Sequence, residues 1–139
     1  MKKIKIYLSG AITGRKNYEE EFKEAKNKLK RFEKKHNEMA NKEKIKLKII
    51  VPCDYDHLNK TGKWEDYLKN DIPILLKCDC LIDIENESYN SKGCMLEKMI
   101  CSSLGIPIIS LNAFVNYNAS YLYSTTNFNV SMSISKIGV

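Results

Sequence analysis

The apolar positions of the chain change their period several times, and each change indicates a new element. Residues 3–9 begin in alternation and stop at Gly10, which predicts a first strand. From Tyr18 to Met39 the apolar positions recur in steps of three and four, which predicts one long amphipathic helix. Residues 46–51 predict a second strand, which Pro52 ends.

The same alternation of strands and helices continues along the chain. Apolar residues over positions 64–76 predict a second helix, which Pro73 would kink or break. Residues 80–84 predict a third strand, and residues 106–111, apolar almost throughout, predict a buried fourth strand. Between them, residues 92–104 predict a third helix whose apolar face consists of Met95, Leu96, Met99, Ile100 and Leu104.

This order of elements predicts a single α/β domain over residues 1–111. Strands that alternate with helices form a parallel sheet with helices on both faces, so we expect a flavodoxin-like or Rossmann-like doubly wound sheet of four to five strands. Such sheets bind ligands beyond the carboxyl ends of their strands. The loops that follow the four strands are therefore where a functional site is expected.

Residues 112–139 form an extension of a different kind, in which Lys136 is the one charged side chain. Apolar and polar residues alternate strictly near its end, which predicts a half-buried strand at about 127–135. An uncharged strand with an open edge promotes association. We therefore expect this strand to pair with the sheet edge or with another subunit, and the protein to form a homodimer or a larger homo-oligomer.

Composition narrows the class of protein. None of the apolar stretches among the 139 residues approaches the length of a membrane span. The five cysteines are odd in number and form no CxxC pair, which favours reduced thiols in a cytoplasmic protein over a metal site. The net charge of +6 comes from residues 1–50, which hold 16 basic and 7 acidic residues. Because most of this excess falls on one predicted helix without interleaved aromatics, we favour a solvated face over a nucleic-acid interface.

Two of the expected loops carry groups suited to anions and sugars. After the first strand, Gly10 permits close approach of the backbone to a ligand, and Thr13 and Arg15 add a hydroxyl and a guanidinium. Before the third helix, Ser91 and the amides around Gly93 could hold an anion at the helix N-terminus. Glycines of this kind also occur in turns for geometric reasons alone.

Carboxylates are the second set of candidate groups. Asp71 occupies an apolar position of the second helix and would point inward, where it needs a partner or a function. Glu97 borders the predicted apolar face of the third helix, and Asp83 ends the third strand at the same mouth. A salt-bridged aspartate and a surface glutamate are the structural alternatives. Two carboxylates across a glycosidic bond would suit glycosyl transfer by a retaining route.

Four segments occur in an order that resembles a known superfamily: YLSGAITG at 7–14, WEDYLKNDI at 64–72, CDCLIDI at 78–84 and SKGCMLEKMICSSLGIPII at 91–109. Together they resemble the nucleoside 2-deoxyribosyltransferase-like superfamily, in particular its small, mostly uncharacterised bacterial and phage branch, over residues 4–111. The resemblance implies a flavodoxin-like enzyme of the deoxyribosyltransferase or nucleotide N-glycosidase type. Its substrate would be a (deoxy)nucleoside or nucleoside 5′-monophosphate, and no cofactor or metal is implied.

The resemblance also implies roles for individual residues. Glu97 matches the nucleophile that attacks the anomeric carbon, and Asp71, in the pair Asn70-Asp71, matches the group that assists at the base. Ser91 and Gly93 match a phosphate-gripping turn. The expected substrate-binding residues are Tyr7, Ser9, Gly10, Thr13, Arg15, Asp83, Ser91 and Gly93.

Two alternatives remain open at the level of the sequence. The first is a binding module that holds a nucleotide or a nucleotide-derived signal without turnover. The basic N-terminal half favours it, as do the departures from the family pattern next to Glu97, where Leu96 precedes and Lys98 follows. The second is a structural subunit whose C-terminal strand builds an assembly. Neither a membrane nor a nucleic acid is an expected partner.

Overall fold

The computed structural model describes residues 1–12, 14–52 and 63–116, with the backbone alone for Trp64. Thr13 and the strand predicted at about 127–135 lie outside these residues. The described elements are β1 (Lys2–Ser9), α1 (Tyr18–Asn37), β2 (Ile45–Ile50), α2 (Trp64–Leu75), β3 (Cys80–Asp83), a 3-10 turn (Ser88–Asn90), α3 (Lys92–Leu104), β4 (Ile108–Ser110) and α4 (Leu111–Val115).

The four strands form one parallel sheet in the order β2-β1-β3-β4. Strand β1 lies inside the sheet, with Tyr7 opposite Ile50 of β2 and opposite Leu81 of β3. The carboxyl ends of β1 and β3 meet where Ser9 lies opposite Asp83. The prediction of a single-domain, doubly wound α/β fold is therefore confirmed.

Alternation along β1 separates the two layers of the core. Ile4, Ile6 and Leu8 face the layer of α1 and α4, where they belong to a cluster with Phe22 and Phe114. Tyr7 faces the other way, in a cluster to which α2 and α3 contribute, respectively, Leu75 and Cys101. Since side chains alternate with a period of two, Ser9 lies on the same face as Tyr7.

Helix α1 ends earlier than the apolar pattern predicted. Its last residue is Asn37, whose side chain bonds both the amide and the carbonyl of Ile45 at the start of β2. Met39 therefore lies beyond the helix and is half-exposed, so its predicted place on the core-facing stripe was wrong. Helix α2 is continuous to Leu75 although Pro73 lies in its last turn, so the predicted break was also wrong. The proline there cannot donate the backbone hydrogen bond that residue 73 would otherwise make to the carbonyl of Lys69, yet the helix continues past it.

The predicted apolar face of α3 was wrong as well. The buried residues of this helix are Cys94, Glu97 and Cys101, whereas Met95 and Met99 are 52% and 65% exposed. The ion pair of Lys98 with Asp83 of β3 and the hydrogen bond of Glu97 with Ser9 of β1 both fit this rotation. Polar contacts to the sheet thus accompany the side of α3 that is buried.

Replacement of Leu75 and of Met99 by alanine tests this layer. Leu75→Ala removes a side chain that is fully buried and should lower the free energy of unfolding by about 2–5 kcal/mol. Met99→Ala, on the exposed side of α3, should change it by less than about 0.5 kcal/mol. Urea unfolding of the two variants measures the difference. A loss at Met99 as large as the loss at Leu75 would contradict the observed rotation of α3.

Candidate functional site

The carboxyl end of β1 lies close to the end of β3 at position 10, where a larger residue than glycine would require the Ile84 side chain to move. The Ser9 carbonyl accepts a hydrogen bond from the Ile84 amide at 3.0 Å. A Cβ on Gly10 would lie 2.6 Å from the side chain of Ile84, closer than side chains approach each other. Gly10 was predicted to let the backbone approach a ligand closely. In the structure, the backbone at Gly10 closely approaches the Ile84 side chain, directly after β3.

The side chain of Asn86 ties the loop after β1 to the loop after β3. Its Oδ1 accepts from the Ala11 amide at 2.8 Å, and its Nδ2 donates to the Ala11 carbonyl at 3.0 Å. The residues on either side, Glu85 and Glu87, have φ values of 60° and 66°, in the left-handed region. Sequence reasoning missed Asn86, although an asparagine directly after a strand end is a common turn residue.

Glu97 lies in the second turn of α3 and is 6% exposed. The Ser9 hydroxyl donates a hydrogen bond to its Oε1 at 3.0 Å. Burial raises the pKa of Glu97 from 4.5 to about 7, while Tyr7, Ser9 and Lys98 act in the opposite direction. A carboxyl in this position changes its charge near neutral pH.

Tyr7 lies beside this carboxyl from the middle of the sheet. Its hydroxyl is fully buried and has no well-aligned hydrogen-bond partner in the part of the chain that the structure describes. It is nevertheless close enough to Glu97 to lower the pKa of that carboxyl. Burial, then Glu97, then Asp71 raise the pKa of Tyr7 well above 10, so the phenol keeps its proton beside two carboxyl groups.

Asp71 and Glu97 line the same pocket, which has a volume of about 230 Å³. Asp71 comes from α2 and Glu97 from α3, and Tyr67 and Leu68 give the pocket an apolar wall. Such a mixture of apolar walls and a few polar groups is typical of small-molecule sites. The described residues around the pocket are Gly10, Ile12, Tyr18, Pro52, Tyr67, Leu68, Asp71, Ser91, Gly93, Cys94 and Glu97.

Five of the ten predicted site residues thus line one pocket: Gly10, Asp71, Ser91, Gly93 and Glu97. Tyr7 and Ser9 are completely buried and lie against Glu97. Thr13 lies outside the described residues.

The other two predicted binding residues make contacts within the protein. The Asp83 carboxylate accepts hydrogen bonds from Lys98 Nζ at 2.6 Å, from the Ser88 hydroxyl at 2.8 Å and from the Glu85 amide at 2.8 Å. These three hydrogen bonds brace the loop after β3. Arg15 pairs with Glu21 at 2.6 Å and with Glu87 at 3.2 Å. It lines an open cavity of about 680 Å³, which shares Ser91 with the pocket of Glu97.

Within residues 1–12, 14–52 and 63–116, no three His, Cys, Asp or Glu side chains come together as metal ligands. No helix there has the length and apolar character to cross a membrane.

A solved structure defines the class of fold. The chain superposes on a 2-deoxyribosyltransferase from the psychrotolerant bacterium Bacillus psychrosaccharolyticus with a TM-score of 0.58 at 17% identity. The superposition covers 85% of this chain and 95% of that one. That protein is described as a biocatalyst for the synthesis of antiviral and antitumoral nucleosides. At this identity the likeness shows a shared fold.

The family follows from the sequence itself. Residues 4–110 match the model of the Domain of unknown function DUF4406, and the chain belongs to that family. DUF4406 is a family of the nucleoside 2-deoxyribosyltransferase-like superfamily, so the resemblance seen in the motifs is confirmed. No match was found among curated protein sequences.

Burial of Glu97 predicts a pH dependence of stability. The folded state binds the Glu97 proton more tightly than the unfolded state does. The stabilisation that this proton gives to the folded state is therefore complete below about pH 4.5 and is lost as pH rises through about 7. Glutamine does not ionise, so Glu97→Gln does not lose this stabilisation. Above pH 7 its free energy of unfolding should rise by up to about 3 kcal/mol relative to that of the wild type. Urea unfolding between about pH 5 and pH 8 measures the difference. The exposed control Glu24→Gln should follow the wild type, and parallel curves for all three proteins would contradict the burial of Glu97.

Proposed function

We propose that this protein cleaves or transfers the N-glycosidic bond of a (deoxy)nucleoside or nucleoside 5′-monophosphate, with Glu97 as the nucleophile. The observation that carries the proposal is a buried carboxyl, held by Ser9, on a pocket shared with a second carboxyl, Asp71. The fold shared with a 2-deoxyribosyltransferase supports the same chemistry.

The two carboxyl groups would act at opposite ends of the bond that breaks. An oxygen of Glu97 forms a bond to the anomeric carbon, while the bond from that carbon to the base nitrogen breaks and its electron pair leaves with the base. Asp71, on the other helix, would bind and orient the base, while the base nitrogen takes up its proton from water. Water or a second base then attacks the glycosyl-enzyme and releases Glu97, so that two displacements retain the configuration.

The rest of the pocket would bind the substrate. Tyr67 and Tyr18 offer aromatic surface for a base. Ser91 and Gly93, at the N-terminus of α3, would hold the 5′-hydroxyl or 5′-phosphate of the sugar. Arg15 lies in the cavity next to Ser91 and would reach a phosphate there by exchanging one of its two glutamate partners.

Three remaining expectations belong to this proposal. Thr13 and Asp83 stay predicted contributors to substrate binding, Thr13 directly and Asp83 through the loop that it braces. The homodimer or larger homo-oligomer, to which the strand at about 127–135 would contribute, stays a prediction. So does a cytoplasmic location.

The proposal is tested by chromatographic detection of free base from a panel of nucleosides and 5′-monophosphates. Glu97→Gln should lower kcat by about a thousand-fold or more, because it removes the nucleophile while conserving shape. Glu24→Gln, on the exposed side of α1, should retain the rate of the wild type. Equal release by wild type and Glu97→Gln would exclude Glu97 as the nucleophile. No release, with thermal stabilisation by a nucleotide, would establish a binding module in place of the enzyme.

The rate of base release should depend on pH through Glu97. Only the ionised carboxyl attacks, and its pKa is about 7, so kcat/KM should rise with pH and level off above about pH 8. The measurement is the initial rate across that range at subsaturating substrate. A rate that is already maximal at about pH 5 would contradict an attacking carboxylate with a raised pKa.

A further inference from the structure

Ser9 donates a well-formed hydrogen bond to the proposed nucleophile. Its hydroxyl donates to Oε1 of Glu97 at 3.0 Å, across 88 positions of sequence, and the two residues are 0% and 6% exposed. Ser9 is not among the described residues that line the pocket. This arrangement differs from the expectation that Ser9 itself contacts the sugar.

The position of the hydroxyl is fixed by the sheet. The backbone of Ser9 is paired with Asp83 of β3, and its carbonyl accepts from the Ile84 amide. The next residue, Gly10, packs against the Ile84 side chain without room for a Cβ. These contacts hold the end of β1 against the end of β3, and the ion pair of Lys98 with Asp83 joins α3 to the same strand end. The hydroxyl is thereby preorganised towards the carboxylate.

In the part of the chain described, no cation pairs directly with the Glu97 carboxylate. The nearest basic residue in sequence, Lys98, directs its ammonium to Asp83 at 2.6 Å, and no Lys, Arg or His among the described residues forms an ion pair with Glu97. The groups that face Glu97 are neutral or acidic apart from Lys98: Tyr7, Asp71, Cys94 and Cys101. A neutral donor favours the ionised carboxyl without pairing it with a full charge.

We propose that Ser9 is a positioning residue, whose hydroxyl fixes one oxygen of Glu97 and leaves the carboxylate oriented for attack on the anomeric carbon. This inference rests on the proposed function for its kinetic consequence. Its structural consequence, control of the Glu97 carboxyl from the end of β1, is measurable without any substrate.

Ser9→Ala is the decisive variant, and Ser88→Ala is its matched control. Ser88 is also a buried serine, 3% exposed, and donates to a carboxylate, Asp83, at 2.8 Å. Both variants lose one buried hydroxyl-carboxylate hydrogen bond, so both should lose similar stability. Only Ser9→Ala loses the donor to Glu97.

Infrared difference spectra between each protein and its Glu97→Gln partner follow the protonated Glu97 carboxyl as pH changes. Ser9→Ala should move the midpoint of this titration to higher pH, because a hydrogen bond to the charged form is lost. Ser88→Ala should leave the midpoint at its wild-type position. An unchanged midpoint in Ser9→Ala, or an equal change in both variants, would overturn the proposal whether or not a substrate is known.

Kinetics then separate positioning from binding. Ser9→Ala should lower kcat by about ten- to a hundred-fold with KM nearly unchanged, and the rising limb of the pH profile should move to higher pH. Ser9→Thr, which restores a hydroxyl, should recover part of kcat. A raised KM with wild-type kcat would instead make Ser9 a substrate contact. If Ser9→Ala does not fold, Ser9→Cys keeps the volume with a weaker donor and should shift the infrared midpoint in the same direction.

Discussion

The burial of β1 between two layers is the constraint on which the rest of the structure depends. Strand β1 has a paired strand on each side, and its alternation sends Leu8 to one layer and Tyr7 to the other. A slip of one residue would exchange the two faces, at the cost of the whole core. The register that buries the apolar side chains therefore also directs Ser9 towards Glu97. The register of β1 thus determines both the packing of the core and the geometry of the site.

Elements with a regular local period could be predicted from the sequence. The alternation of β1, the steps of three and four in α1 and the glycine after β1 each reflect neighbouring residues. The rotation of α3 could not be predicted in this way. Its Met95 and Met99 dominate the apolar pattern, yet both are exposed, and the contacts of α3 with the sheet come from Lys98 and Glu97, which pair with residues on β3 and β1.

The candidate site shows the same division. Asp71 and Glu97 could be identified as unusual from their own helices, and the fold brings them to one pocket. The contacts around the site could not be predicted, because they join distant parts of the chain. Ser9 and Glu97 are 88 positions apart, and Asn86 and Ala11 are 75 positions apart. A single sequence carries no record of which polar residues face each other across a sheet. For the same reason Arg15, which suits an anion by type, is found paired with Glu21 and Glu87.

The two left-handed glutamates beside Asn86 have a consequence for how the loop after β3 keeps its shape. Outside glycine, this conformation costs about 1–2 kcal/mol at each position. The hydrogen bonds of Asp83 and Asn86 offset that cost only while the loop holds its native course. Glycine at Glu85 and Glu87 would ease folding, yet it would let the loop adopt many courses of similar energy. The strained backbone thus makes the course of this loop depend on the side chains of Asp83 and Asn86, far more than a loop of relaxed residues would.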